Sequence, residues 1–136
     1  MNKANAEFER VKPMVAARQG WHCLLCGTNT HGDAWPGHST HHRQLRRHCD
    51  PTYRHSPANL VRLCGVGNST GCHGWVHTHV PEAERFGYIV PSGMDPRLVP
   101  VMDWRGDWWW LSEDGTARRL SQIEVIRMGI NRKESE

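Results

Sequence analysis

The chain of 136 residues has no run approaching the ~18 consecutive apolar residues that a membrane-spanning helix requires, so no helical anchor is expected within it. Its opening, MNKANAEFERVKPM, carries charges where a secretory leader has an apolar stretch, and a cytoplasmic chain is expected. Aliphatic bulk is also short. Leu, Ile, Val and Phe together number 24, roughly 18% of the chain, below the ~20% typical of a self-sufficient core. The central segment lacks acids: between His41 and Arg62, Asp50 stands alone against Arg43, Arg46, Arg47, Arg54 and Arg62. That local imbalance fits either a solvated loop or a phosphate-facing patch, since guanidinium groups suit bidentate phosphate contacts. The overall charge of +3 permits a nucleic-acid partner without requiring one.

What the chain has in quantity is histidine and cysteine, ten and five respectively, with seven Trp adding apolar bulk. The length suits one domain spanning 1–136. An odd number of cysteines in a cytoplasmic chain points to metal ligation before disulfides. A bound ion also answers the thin core, because zinc contributes ~10–16 kcal/mol of apparent folding energy to small zinc peptides.

The pattern predicts a short helix over 13–19, with Pro13 in its first turn and Gly20 as its cap. A loop over 27–40 leads to an extended Ser39 to Arg43. NLVRLC, residues 59–64, alternates like a half-buried strand. CHGWVHTH from Cys72 reads as about two helical turns ended by Pro81, which opens a further helix, PEAERFG. YIV, LVPVMDW, DWWWL and ARRL are short β-type runs, with a hairpin signal at Glu113, Asp114 and Gly115. Ser121 and Glu124 have capping-box spacing before a last helix ending near Gly129, and 131–136 are expected to fray. Trp108 and Trp110 share one strand face and suit core or partner contacts better than base stacking.

Cys23 and Cys26 form a C-x2-C knuckle followed by Gly27, and Cys64 and Cys72 supply a second pair with seven residues between them. Four thiolates can close the tetrahedron that a structural zinc prefers. Buried cysteines filling a core are the plain alternative. His22 and His73, each beside a cysteine, compete as ligands, while Cys49 and His48 have no assigned role and are expected at the surface. His41 and His42 are adjacent, and on an extended segment such neighbours project to opposite sides. His73 and His77 lie four apart and share a helix face, so both can point at one ion, with His79 as a competitor.

Taken together, C-x2-C-G, T-H-H-R, S-P-A-N-L-x-x-L-C-G and G-C-H-G-W-V resemble the HNH endonucleases, specifically the zinc-stabilised, phage-encoded type, over residues 20–90. The resemblance implies an α+β fold: a ββα-metal core (HNH, or His-Me finger) with a structural zinc on Cys23, Cys26, Cys64 and Cys72. A β-hairpin and short helix over 91–136 then form an extension. By position, His42 matches the general base, Asn59 the residue that constrains the base's loop, and His73 the helix ligand of a catalytic divalent ion. His41 falls where Asp or His serves as a ligand, and His77 offers a third. Magnesium suits an Asp at that position, whereas His41 shifts preference toward manganese, nickel or zinc.

The same resemblance implies cleavage of DNA to 5′-phosphate and 3′-hydroxyl ends, in a host cytoplasm if the chain is phage-encoded. Arg43, Arg46 and Arg47 become candidate phosphate contacts, with little sequence preference because no base-reading helix is evident. A rival reading is a non-catalytic zinc module that binds nucleic acid or a protein within a phage packaging assembly. No membrane partner is expected.

Overall fold

The computed structural model describes residues 2–129, so the expected fraying of 131–136 lies outside the described residues. Helix α1 runs from Lys3 to Arg18, with the Asn2 side chain accepting from Asn5 N at 2.9 Å as its cap. It therefore starts ten residues before the expected Pro13, which lies inside it. Proline removes one i to i−4 hydrogen bond, and the carbonyl deprived here belongs to Glu9, which like Pro13 is exposed to solvent.

Strands β1, His38–His42, and β2, Leu60–Cys64, pair antiparallel, with His41 opposite Val61 and His42 opposite Leu60. Strand β2 is buried on both faces rather than half-buried as its alternation predicts. Leu60 packs under Val11 and Val15 of α1, while Val61 and Leu63 pack on Val76 of helix α2, Gly71–Thr78. Arg62, the polar member of that alternation, is also buried: its Nε donates to Thr30 Oγ1 at 2.7 Å, and its guanidinium lies over the Trp21 ring.

Helix α3, Val80–Arg85, follows with Pro81 in its first turn, and Gly87 ends it. Tyr88 to Val90 is not a strand. Instead Val90 N donates to Arg43 O at 2.9 Å, docking the segment beyond the end of β1. Strands β3, Val101–Met102, β4, Trp108–Leu111, and β5, Ala117–Arg119, form a second antiparallel sheet in the order β3-β4-β5. Trp108 and Trp110 share its face with Leu120 and Val125, and Trp109 packs toward the main core with its Nε1 on Asp103. Helix α4, Gln122–Met128, carries both bonds of the Ser121–Glu124 capping box and ends at Gly129.

The described residues thus form a small mixed α/β structure of four α-helices and two small sheets. Among them no helix is long and apolar enough to cross a membrane.

Candidate metal centres

The sulfur atoms of Cys23, Cys26, Cys64 and Cys72 all lie within 4.8 Å of one another. Cys26 Sγ and Cys64 Sγ are 3.8 Å apart, which matches the ~3.8 Å edge of a tetrahedron with ~2.3 Å zinc–sulfur bonds. The cysteines are free thiols, so the donor set fits a structural metal such as zinc. Cys23 is drawn below the ordinary thiol range by the Cys72 thiol, and Cys72 is pushed up by the same contact. The cluster thus favours thiolate at one member before any ion compensates the charge.

Local backbone geometry explains the convergence. Gly27 N donates to Cys23 O at 2.8 Å and closes the knuckle, while Leu24 N donates to Arg62 O at 3.1 Å and docks it on β2. The long GVGNSTG spacer does not dislocate α2. A Cβ on Gly65, whose φ is +95°, would lie 2.0 Å from Thr70 O, so the loop folds on itself at a distance that only glycine permits. Cys72 N consequently reaches Cys64 Sγ at 3.3 Å.

The second cluster joins His41 on β1 with His73 and His77 on α2, again within 4.8 Å of one another. His41 Nε2 is 2.7 Å from the Tyr88 carbonyl, which only an N–H can satisfy, so Nδ1 is left as the ligand lone pair. His73 and His77 face each other at 3.1 Å between their Nε2 atoms. Burial lowers all three; for His41, which falls to about 3, the neighbouring His73 and His77 add to it against the opposing Tyr88 carbonyl. Neutral imidazoles at neutral pH are the form that binds a metal. His79 lies outside the cluster: its ring stacks on Trp75 and its Nδ1 contacts Trp75 O at 3.1 Å. His22 is also outside, beside Trp104.

One cavity of about 430 Å³ is lined by His41, His42, His73 and His77 together with Arg46 and Arg47. His42 is held near a pKa of about 3 by burial, then by His55, Arg46, Arg54 and His73. Its Nε2 lies 3.0 Å from His55 Nδ1. His55 escaped the sequence reading, and its position in R-H-S-P-A-N, four residues before Asn59, is the only signal that pointed to it.

Asn59 is fully buried and does not line the cavity. Its Oδ1 accepts from Gln44 N at 2.8 Å and its Nδ2 donates to Arg54 O at 3.0 Å, tying the end of β1 to the segment that carries His55.

Two expectations need correction. Arg43 is wholly buried rather than a phosphate contact: its Nε donates to Gly87 O at 2.7 Å, and its terminal nitrogens donate to Ala58, Pro96, Val99 and Pro100 carbonyls. The basic run breaks there because Arg43 continues β1 inward, whereas Arg46 and Arg47 lie on an exposed 3-10 turn. Cys49 is buried beside Asn59, not at the surface, and burial pushes its thiol up to about 11. His48 is exposed as expected.

Comparison with protein-family models, with curated proteins and with solved structures finds no match to the chain.

Proposed function

We propose that the chain is a metal-dependent HNH-type endonuclease that hydrolyses phosphodiester bonds of DNA. The carrying observation is that an imidazole without a ligand role, His42, lines the same cavity as the three converging imidazoles His41, His73 and His77. The order β1, β2, α2, with the strand pair packed on the helix and the cysteines gathered at its start, supports a ββα-metal core.

His41, His73 and His77 would hold a divalent ion, whose positive charge would polarise the phosphate and stabilise the leaving oxygen. Imidazole ligands suit zinc, nickel or manganese better than magnesium. Arg46 and Arg47, at the cavity wall, attract the backbone phosphates. His42 is neutral and takes a proton from the attacking water as its oxygen bonds to phosphorus. The P–O3′ bond breaks, and the 3′ oxygen takes a proton from solvent. Asn59 acts through the backbone it ties, not on the substrate.

The test is nicking of supercoiled plasmid with zinc, nickel, manganese or magnesium and with a chelator. His42→Ala is expected to lower the rate by about 10²–10⁴-fold while zinc content and melting temperature are retained. Full activity in that variant rejects the mechanism. A protein that holds a single zinc and never nicks DNA is instead a binding module.

A further inference from the structure

His55 is a buried imidazole with no place in the hydrolytic scheme, yet it is fixed from several sides. Phe8 of α1 stacks on its ring at 5.0 Å and lies 4.8 Å from the His42 ring, so the same side chain packs on both imidazoles. Asn59 secures the carbonyl of Arg54, the preceding residue. Nε2 of His55 is buried without a partner, which leaves the 3.0 Å contact with His42 as its side-chain hydrogen bond.

Two neutral imidazoles joined by one hydrogen bond hold a single hydrogen between their nearest nitrogens. With that hydrogen on His42 Nε2, His42 Nδ1 is a lone pair and His55 carries its own hydrogen on the partnerless Nε2. With it on His55 Nδ1, His42 carries its hydrogen on Nδ1 and has no site there for a proton. The cavity that His42 lines is rimmed by the cations Arg46 and Arg47, and a positive field favours the lone pair of an imidazole facing it over the N–H. His42 Nδ1 has no hydrogen-bond partner among the described residues.

We propose that His55 is the positioning residue for His42: it accepts the Nε2–H of His42, fixing the tautomer and ring plane that leave Nδ1 open to the cavity. It acts through His42 and touches neither substrate nor ion. The proposal rests on reading His42 as the base, and it makes the base an imidazole pair rather than a lone side chain. In the reaction the proton of water goes to His42 Nδ1, and the Nε2–H stays donated to His55, so no proton crosses the pair.

Ring-nitrogen correlation spectra of the 15N-histidine-labelled, zinc-loaded full chain test this directly. His42 is expected to carry its hydrogen on Nε2 in the wild type and in His55→Asn, whose Oδ1 can accept in place of Nδ1. His55→Leu is expected to give mixed tautomers. A wild-type His42 with its hydrogen on Nδ1 overturns the proposal, and that measurement needs no variant to fold. In nicking kinetics, His55→Leu is expected to lower kcat about 10–100-fold with KM unchanged, and His55→Asn to recover most of the loss. Unchanged kcat in His55→Leu, or equal losses in both variants at wild-type melting temperature, also overturns it. If the wild type does not nick DNA, the nuclease reading fails while the spectra still decide what His55 does.

Discussion

Cys72 and His73 are consecutive residues in the first turn of one helix, yet they belong to different centres. Helical neighbours are turned about 100° from each other, so α2 presents sulfur to one side and imidazole to the other. The two centres differ in what they hold together. The cysteines come from the knuckle, the end of β2 and the start of α2, three segments that no continuous ladder joins. The histidines come from β1 and α2, which the β1–β2 pairing and the sulfur centre already bring together. Dependence should therefore run one way: the sulfur centre builds the framework, and the histidine centre uses it.

Breaking each centre in turn gives the largest contrast. Cys64→Ser removes the sulfur that accepts from Cys72 N and sits one tetrahedral edge from Cys26. It is expected to forfeit most of a zinc contribution of ~10 kcal/mol or more, so the chain should unfold and release its metal. On the proposed function, His73→Ala is expected to abolish only an exchangeable ion at the histidines and to keep the zinc and the cooperative melt. Zinc and total-metal analysis with thermal unfolding reads both. A His73 variant that unfolds as completely as the Cys64 variant breaks the asymmetry.

Arg43 shows how the C-terminal sheet is tied in behind the histidine centre. Its guanidinium binds carbonyls at Ala58 and Gly87 on one side and at Pro96, Val99 and Pro100 on the other, with no carboxylate among its partners. Burial, and then the neighbouring Arg18, lowers it to about 9, so it is still charged at neutral pH. Arg43→Met leaves those carbonyls buried without a donor and, at ~1–3 kcal/mol for each acceptor left unsatisfied, is expected to cost about 3 kcal/mol or more, seen as a fall of roughly 10 °C or more in Tm. Zinc stoichiometry should be unchanged, because no bond of Arg43 reaches the cysteines. Loss of zinc in this variant would mean that the two halves fold as one with the sulfur centre.

What the sequence made legible follows from how local each signal is. Cysteine spacing, the His73 and His77 helical pair, the capping box and the Gly115 turn depend on residues close in the chain, and each is found where expected. Arg43 and Cys49 were misplaced because charge and polarity report average exposure, whereas their burial depends on segments forty or more residues away and on the Asn59 hub. Helix α1 was truncated because Pro13 reads as a start; its tolerance depends on which face of the helix meets solvent, a tertiary fact. His55 was missed for the same reason: only the loop held by Asn59 brings it to His42.

The smallest expected effect separates two arginines that four positions of sequence made look alike. Arg47 is exposed and lines the cavity, whereas Arg43 is spent inside the fold. Arg47→Ala is expected to leave the unfolding free energy within about 0.5 kcal/mol of the wild type, because exposed substitutions away from caps and pairs change little. DNA affinity should weaken alike on unrelated sequences, and the slope of log affinity against log salt should fall by about 1, as one phosphate contact is lost. Binding titrations on two duplexes of different sequence over a range of salt measure this. An unchanged slope would move the proposed DNA path away from this wall of the cavity, leaving the division between the structural sulfur centre and the histidine centre intact.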